Sequence, residues 1–279
     1  MRIPCCSRTG DVLEPTLLSQ WFFKTDQVSS TVLDHLTRHP PVPSSSLQTL
    51  ATYLEHPKDW CLSRQLWWGH RIPAFRVQSS IPLQASIPAL SAQHCVTKEG
   101  VWVIAHSKEE AREYASKTLG FPNGTFQVLQ DDDVLDTWFS SGLLPLLAPP
   151  STNIPPISVM ETGSDILFFW VCRMAWLSEA LAHSFPFEDI SLHSMVLDPN
   201  GKKMSKSRGN VLDPLDIIHG QSLQHLVETV QKRKELSKKE IEVSVASFKK
   251  LYPKGIRAYG NDVMRFTLIK WVRWRRVTL

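Results

Sequence analysis

Short apolar segments and amphipathic segments follow one another along the chain and predict strands alternating with helices. Val101–Ala105 and Phe126–Gln130 are compact apolar segments of the kind that form strands. Lys108–Leu119, between them, has a helical composition, and the pattern Ser107-x-x-Glu110 at its start is a capping box. These segments predict a strand, a helix and a second strand in succession.

Two segments carry weaker patterns and are predicted to be mostly irregular. Asp26–Leu54 is a polar connector with prolines and serines, for which we predict loops and one helix near Leu47–Leu54. Leu143–Met160 is short and rich in proline, which predicts a loop.

The second half of the chain is predicted to be more helical. A helix is expected to begin near Asp165, with Thr162 or Ser164 as its cap. Gln221–Tyr252 is rich in lysine and glutamate and has helical composition, with a second capping box that starts at Ser237.

The composition is that of an ordinary soluble globular chain of one or two domains. Of 279 residues, 42% are apolar and 21% charged, and a net charge of +4 is too small to identify a nucleic-acid binder. Five cysteines without a C-x-x-C pair indicate neither a zinc site nor a disulfide framework. The longest apolar run, Ile166–Trp176, is too short to span a bilayer, and the first residues resemble neither a signal nor a transit peptide.

A basic segment, Lys202–Arg208, is the strongest candidate for chemistry. It holds four cations and two serines in seven residues and lies between Gly201 and Gly209. It follows the strand-like segment Ser191–Asp198, and α/β proteins bind ligands just beyond their strand ends. Such a loop suits a polyphosphate, because lysine supplies positive charge and serine supplies hydrogen bonds. The alternative from composition alone is a solvated basic turn.

The text from Met195 to Pro214 resembles the KMSKS signature of class I aminoacyl-tRNA synthetases. The resemblance implies that Lys203 and Lys206 are catalytic, with Lys206 stabilising the charge that develops as pyrophosphate leaves ATP. It also implies ATP contacts from His193, Lys203, Met204, Ser205, Lys206 and Ser207. Mg²⁺ is expected with ATP, but the sequence offers no dedicated protein ligand. Asp131, Asp132 and Asp133 are consecutive, and adjacent side chains diverge, so a solvated strand end explains them better than a metal site does.

Two further segments resemble valyl-tRNA synthetases in particular. Asp59–Pro73 reads DWCLSRQLWWGHRIP, and Asp133–Gly142 reads DVLDTWFSSG. Isoleucyl relatives differ at both places. From the residues alone, Trp67 and Trp68 would be core or interface anchors.

The resemblance implies a valine pocket made of residues from two segments. Trp138 would pack on the aliphatic side chain of valine, Asp165 would face its amino group, and Ile166 and Trp170 would line the pocket. The plainer alternatives are that Trp138 is a core tryptophan and that Asp165 caps a helix.

The implied fold is α/β: part of a class I, Rossmann-like nucleotide-binding catalytic domain followed by a helical segment. We expect residues 1–20 to return from an editing insertion, 21–220 to form the second half of the catalytic domain, 221–268 to lead toward an anticodon-binding domain, and 269–279 to be a divergent tail. The implied reaction is ATP-dependent activation of valine and its transfer to tRNA(Val). Because the family's HIGH half would lie upstream, we expect the chain alone to be a poor catalyst or none.

Other interpretations remain open at this stage. The chain could be a non-catalytic fragment or paralogue that binds RNA or another synthetase subunit, or it could be a truncated gene product. The expected partners are valine, ATP and tRNA(Val), without a membrane, and the expected state is a monomer in the cytoplasm or the mitochondrion.

Overall fold

The computed structural model describes residues 3–6, 11–39, 44–80, 87–147, 157–198, 201, 203–204, 210–233, 236–272 and 277–278. The chain divides into two compact units. The first unit comprises Met1–Val32, Leu54–Leu147 and Trp176–His183, and the second comprises Leu33–Tyr53, Ala148–Ala175 and Ser184–Leu279.

The described part of the chain combines α-helices with strands, in agreement with the α/β fold that the resemblance implies. The helices are α1 (Asp26–Arg38), α2 (Ser44–Glu55), α3 (Lys108–Lys117), α4 (Thr137–Gly142), α5 (Arg173–Ala182), α6 (Pro214–His219), α7 (Leu223–Gln231), α8 (Lys238–Leu251) and α9 (Asn261–Val272). The strands are β1 (Phe22–Phe23), β2 (Trp60–Cys61), β3 (Ser63–Arg64), β4 (Ala74–Ser79), β5 (His94–Thr97), β6 (Gly100–Ile104), β7 (Phe126–Gln130), β8 (Val134–Leu135), β9 (Ile157–Gly163), β10 (Phe187–His193), β11 (Val196–Leu197) and β12 (Val277–Thr278).

The first unit is built on a four-stranded antiparallel sheet with the order β5-β6-β4-β7. Val101, Val103 and Val128 point to one face and are fully buried there, and α3 covers them with Ala111 and Ala115. Small alanines allow a helix to approach a sheet closely, so this face forms the core of the unit. The predicted strands β6 and β7 and the predicted helix α3 are confirmed.

The cap of α3 differs in one detail from the predicted reciprocal capping box. The Ser107 hydroxyl accepts a hydrogen bond from the Glu110 backbone N–H at 3.1 Å, as predicted. The Glu110 carboxylate, however, accepts from the N–H of His106 at 2.8 Å instead of from that of Ser107. The long glutamate side chain reaches one residue further back, and the donor at the helix start is still satisfied.

Parallel pairing between β9 and β10 organises the second unit. Phe187 lies opposite Ile157 at the start of the ladder, and His193 lies opposite Gly163 at its end. The connection between the two strands holds a 3₁₀ turn (Ser164–Ile166), a π-helical turn (Leu167–Cys172) and α5. Parallel strands need such a helical crossover, so this part has the βαβ form typical of nucleotide-binding folds.

Three predictions about this region are wrong in detail. The predicted loop Leu143–Met160 ends early, because β9 begins at Ile157 and pairs with β10. Neither Thr162 nor Ser164 caps the helix; Gly163 is the N-cap residue and makes no side-chain hydrogen bond. The predicted strand-like segment Ser191–Asp198 contains the end of β10 and all of β11, with a break between them. In each case pairing with a distant strand, which local sequence does not encode, decides the boundary.

The helices of the second unit form a separate hydrophobic cluster. Leu226 and Val230 of α7 pack with Phe248 of α8, together with Leu212 and Leu236. The capping box predicted at Ser237 is complete, because Ser237 and Glu240 exchange both hydrogen bonds. The two predicted helices of this region are therefore confirmed.

Helix α1 was not predicted, whereas α2 was. Val32 and Leu36, one turn apart on α1, are 2% and 0% exposed, and Val28 and Leu33 beside them are half-buried, so the helix forms around an apolar stripe. The polar composition of the surrounding connector hides that stripe. No helix in the described part of the chain is both long and apolar enough to cross a membrane.

Candidate functional site

The candidate site lies in the second unit, where β9 and β10 end side by side. Gly163 and His193 are register partners at the carboxyl ends of these parallel strands. The turn after β9 carries Asp165, and the segment after β10 continues to Lys203. Carboxyl ends of adjacent parallel strands are where open α/β sheets bind ligands.

Asp165 and Lys203, two residues predicted to act on different substrates, form an ion pair. The Lys203 ammonium donates a hydrogen bond to the Asp165 carboxylate through the Oδ2 atom. The Asp165 side chain is 29% exposed and the Lys203 side chain 52% exposed, so solvent reaches both groups. Asp165, which is predicted to face the amino group of valine, contacts the ammonium group of Lys203.

Gly163 leaves the space in which the Asp165 carboxylate lies. A Cβ atom at this position would lie 2.7 Å from Asp165 Oδ1, 3.1 Å from Met195 Sδ and 3.5 Å from His193 Cε1. The backbone of Gly163 has ordinary extended angles, φ −69° and ψ 138°, so glycine is needed for space and not for conformation. Any side chain at this position would displace the carboxylate or its neighbours.

A polar clamp holds the base of the basic segment. The Asn210 amide donates to Asp198 Oδ2 at 2.9 Å and to the Lys203 carbonyl oxygen at 3.4 Å. Asp198 is buried, and its carbonyl oxygen accepts from the N–H of Gly201 at 2.8 Å, which closes the turn before Lys203. The two ends of the segment are thus joined through Asp198 and Asn210, a role that the sequence reasoning did not assign to either residue.

The remaining predicted ATP contacts have different surroundings. His193 is half-buried, and its Nδ1 atom lies 3.1 Å from the Ser194 carbonyl oxygen. Because a carbonyl oxygen only accepts hydrogen bonds, Nδ1 carries the hydrogen, and Nε2 is the acceptor atom of the neutral ring. Met204 lines a small cavity with Phe248 and Tyr252. Burial, with smaller effects of Tyr259 and Asp198, raises the pKa of Tyr252 and keeps its phenol neutral. The predicted contacts Ser205, Lys206 and Ser207 lie outside the described residues.

Ile166 and Trp170, the predicted pocket residues of the second unit, are both half-buried. Ile166 closes the 3₁₀ turn that carries Asp165, and Trp170 lies in the π-helical turn that follows. π-Helical turns are rare and concentrate at functional sites. Cys172 ends this turn, and burial raises the pKa of its thiol, so Cys172 is not a nucleophile at neutral pH.

Trp138, the remaining predicted valine contact, belongs to the first unit and is half-buried at the start of α4. Asp136 fixes this helix start. Its Oδ1 accepts from the Trp138 backbone N–H at 3.2 Å, and its Oδ2 accepts from Trp60 Nε1 at 2.9 Å and from Arg64 Nη2 at 2.8 Å. Sequence reasoning missed Asp136, although an aspartate directly before Thr-Trp-Phe is a recognisable N-cap signal.

The exposed fractions of Trp67 and Trp68 are 98% and 82%, so the interpretation of them as core anchors is wrong, whereas the alternative that they are interface anchors stays a prediction. The backbone beside them is nevertheless fixed. Gly69 has φ +145°, which favours glycine, and the N–H of Leu135 donates to the His70 carbonyl at 2.7 Å. The two indoles therefore project from a well-anchored turn.

A groove of about 850 Å³ in the first unit contains none of the predicted substrate-binding residues. Its polar groups are largely engaged with one another: Trp21 Nε1 donates to Asp131 Oδ2 at 2.8 Å, and Gln65 donates to Asp133 at 2.7 Å. Asp131 is thus part of a hydrogen-bonded wall, whereas Asp132 is fully exposed. Among the described residues, no group of three or more His, Cys, Asp or Glu side chains is arranged to hold a metal ion.

Comparison with known proteins identifies the family of the chain. Residues 7–278 match the family model of tRNA synthetases class I (I, L, M and V). The chain is 42% identical over 279 residues to the mitochondrial valine–tRNA ligase of Sus scrofa, and the match covers 96% of this chain and 25% of that protein. It is 40% identical to the mitochondrial valine–tRNA ligase of Homo sapiens and 39% identical to the valine–tRNA ligase of Caenorhabditis elegans, with 96% and 97% of this chain covered.

The chain spans about a quarter of the length of these curated relatives. Among solved structures, Mycobacterium tuberculosis methionyl-tRNA synthetase bound by methionyl-adenylate is similar at 16% identity, over 88% of this chain and 40% of that one, with a TM-score of 0.44. The resemblance found in the sequence motifs and the α/β fold is confirmed by the family match over nearly the whole chain. The chain belongs to the class I tRNA synthetases of the isoleucine, leucine, methionine and valine group.

Proposed function

We propose that this chain serves valine–tRNA ligation, as the part of the enzyme that binds the amino group of valine and the pyrophosphate end of ATP. The observation that carries the proposal is the Asp165 carboxylate, which binds an ammonium group at the carboxyl ends of two parallel strands beside the basic segment. The identities of about 40% to valine–tRNA ligases support valine as the amino acid.

The proposed reaction begins with valine and ATP and yields valyl-adenylate and pyrophosphate, after which valine passes to tRNA(Val). Asp165 holds the valine ammonium, which leaves the carboxylate of valine to attack the α-phosphate. Lys203 and Lys206 balance the negative charge that accumulates on the departing pyrophosphate, and such preorganised charges lower the barrier to the reaction. Mg²⁺ would accompany ATP and neutralise part of its charge, without a dedicated protein ligand.

Specificity in the proposed pocket is limited by its apolar character. Ile166 and Trp170 would contact the valine side chain, and threonine differs from valine only by a hydroxyl in place of one methyl group. An apolar pocket rejects such an isostere by only about 10²-fold, a limit for which valyl-tRNA synthetase acting on threonine is itself the known example. The relatives include mitochondrial enzymes, and we expect this chain to act in the mitochondrion or the cytoplasm.

A chimeric enzyme tests the proposed function. Residues 7–278 would replace the segment to which they align in the human mitochondrial valine–tRNA ligase, and valine-dependent ATP–pyrophosphate exchange would be measured. We expect exchange, reduced about 10²-fold or more by Lys206→Ala, because a positioned transition-state charge contributes that much. A folded chimera without valine-dependent exchange would contradict the proposal, and tRNA binding in its absence would favour an RNA-binding fragment. For the 279-residue chain alone, little or no exchange is expected.

A further inference from the structure

In its ion pair with Asp165, the Lys203 ammonium lies where the proposed function places the ammonium group of the substrate. The lysine side chain ends in a primary ammonium, and the α-amino group of an amino acid at neutral pH is also a primary ammonium. Both are cations with three N–H donors and no acceptor. Two ammonium groups on the same carboxylate oxygen repel each other at contact distance, so each weakens the binding of the other.

The geometry around the carboxylate leaves Oδ2 as the oxygen that both Lys203 and a substrate ammonium would contact. Oδ1 faces the backbone of Gly163, at the place where a Cβ atom would lie only 2.7 Å away. Met195 Sδ and His193 Cε1 lie within 3.5 Å of that same Cβ position. Oδ2 is the atom that accepts from Lys203, and the Asp165 side chain is 29% exposed. An incoming ammonium therefore reaches the carboxylate most directly at the atom that Lys203 holds.

We propose that Lys203 competes with the substrate for Asp165: without substrate its ammonium occupies the carboxylate, and the α-ammonium of the amino acid displaces it. This inference rests on the proposed function for the identity of the ligand. The chemistry it requires is a simple exchange of one primary ammonium for another, without proton transfer or covalent change.

Displacement needs only the side chain of Lys203 to move. Asn210 holds the carbonyl of Lys203 and the carboxylate of Asp198, so the backbone at the start of the basic segment stays in place. The Lys203 side chain is flexible and half exposed, and it can turn away from Asp165 without unfolding the turn. Once displaced, its ammonium is available to a polyphosphate. Binding of the amino acid would therefore strengthen binding of ATP, and by linkage ATP would strengthen binding of the amino acid equally.

The size of the effect follows from the exposure of the pair. Ion pairs that solvent can reach are typically worth a factor of about 1.4 to 5 in an equilibrium constant. Since the carboxylate is available only when Lys203 is away, the apparent dissociation constant for the amino acid is raised by about that factor. Removing the lysine charge should therefore tighten valine binding about twofold to fivefold in the absence of ATP.

The first experiment measures the lysine itself in the full 279-residue chain. A limiting amine-acylating reagent is applied, and modification of Lys203 is quantified by mass spectrometry relative to Lys249, an exposed lysine of α8. We expect Asp165→Asn to raise Lys203 modification about twofold or more without any ligand, and saturating L-valine to do the same in the native chain. 3-Methylbutanoate, which lacks the ammonium, should have no effect. Equal modification of Lys203 in the native and Asp165→Asn chains would overturn the inference.

The second experiment separates this inference from the proposed function. Valine affinity is measured by calorimetry, without ATP, for the native chain and for Lys203→Gln, Lys203→Arg and Asp165→Asn, each shown to be folded by circular dichroism. Lys203→Gln should bind valine about twofold to fivefold more tightly, whereas Lys203→Arg should resemble the native chain because arginine also pairs with carboxylates. Unchanged or weaker binding in Lys203→Gln, with binding still lost in Asp165→Asn, overturns the competition alone. Valine binding that is indifferent to Asp165→Asn overturns the proposed function as well.

Discussion

Replacement of Asp136 by alanine should destabilise the first unit strongly, because this buried carboxylate joins three separate groups. Only 7% of its side chain is exposed. It accepts hydrogen bonds from the indole of Trp60, the guanidinium of Arg64 and the backbone N–H of Trp138, the first of which is itself buried. Alanine removes all three acceptor contacts and offers no replacement.

The expected loss of unfolding free energy can be assembled from these contacts. An unpaired buried indole N–H costs about 1–3 kcal/mol. Loss of the N-cap of α4 costs about 1 kcal/mol. Arg64 contributes only about 0–1 kcal/mol, since its side chain is 36% exposed and water can replace the carboxylate. Together these give about 3 kcal/mol. Asp136→Asn should lose about half as much, because asparagine is an equally good N-cap but has a single acceptor oxygen.

Urea unfolding followed by tryptophan fluorescence and circular dichroism measures this loss. Asp132→Ala is the matched control: Asp132 is close in sequence, fully exposed and paired with exposed Arg71, so its loss should cost less than about 0.5 kcal/mol. If Asp136→Ala and Asp132→Ala destabilise the chain equally, or if the former costs less than about 1 kcal/mol, the reasoning about Asp136 is refuted.

Three further predictions follow from single positions. Gly163→Ala should weaken valine binding about tenfold in calorimetry, because the added methyl group would lie 2.7 Å from Asp165 Oδ1 and displace the carboxylate. Unchanged affinity would show that the carboxylate moves freely. Hydrogen bonds from the Ser237 side chain and backbone lower the pKa of Glu240, so its contribution to stability is complete above the ordinary glutamate pKa of about 4.3 and is lost as the pH falls through the lower folded value. Glu240→Gln should reduce the loss of unfolding free energy that occurs as the pH falls through this range. An unchanged dependence of unfolding free energy on pH would contradict the assignment. Burial raises the pKa of Cys172, so a thiol reagent at neutral pH should modify exposed Cys5 in the folded chain but Cys172 only after unfolding; modification of both at equal rates would refute its burial.

Local signals in the sequence predicted much of the secondary structure. The Ser237 box, the strands around Val101 and Phe126 and the helix after Ser107 all carry their information within a few residues, and each is found. The boundary of β9 at Ile157 and the break between β10 and β11 depend on pairing with distant residues, and sequence reasoning misplaced both. Helix α1 was missed because its apolar stripe, which includes buried Val32 and Leu36, lies within a polar connector.

Single residues of the candidate site could be predicted from the sequence, whereas the contacts between them could not. The motif resemblance assigned roles to Asp165 and Lys203 one by one, and the structure brings these two together. Their mutual ion pair could not be read from the sequence, because both were expected to face substrates. The clamp of Asp198 and Asn210 was missed for a related reason, since it joins two ends of a segment that are distant in sequence. The exposure of Trp67 and Trp68 was also unexpected, because tryptophans in a dense aromatic stretch are usually buried.

The central claim is that Asp165 is the amine site for valine, and the most direct test is equilibrium binding of L-valine to the folded chain and to its Asp165→Asn variant. We predict that the native chain binds valine and that the variant, equal in fold by circular dichroism, loses about tenfold or more in affinity, because a hydrogen bond to a charged group contributes about 1.5–3 kcal/mol. Equal affinities, or a folded native chain that binds no valine, would contradict the claim.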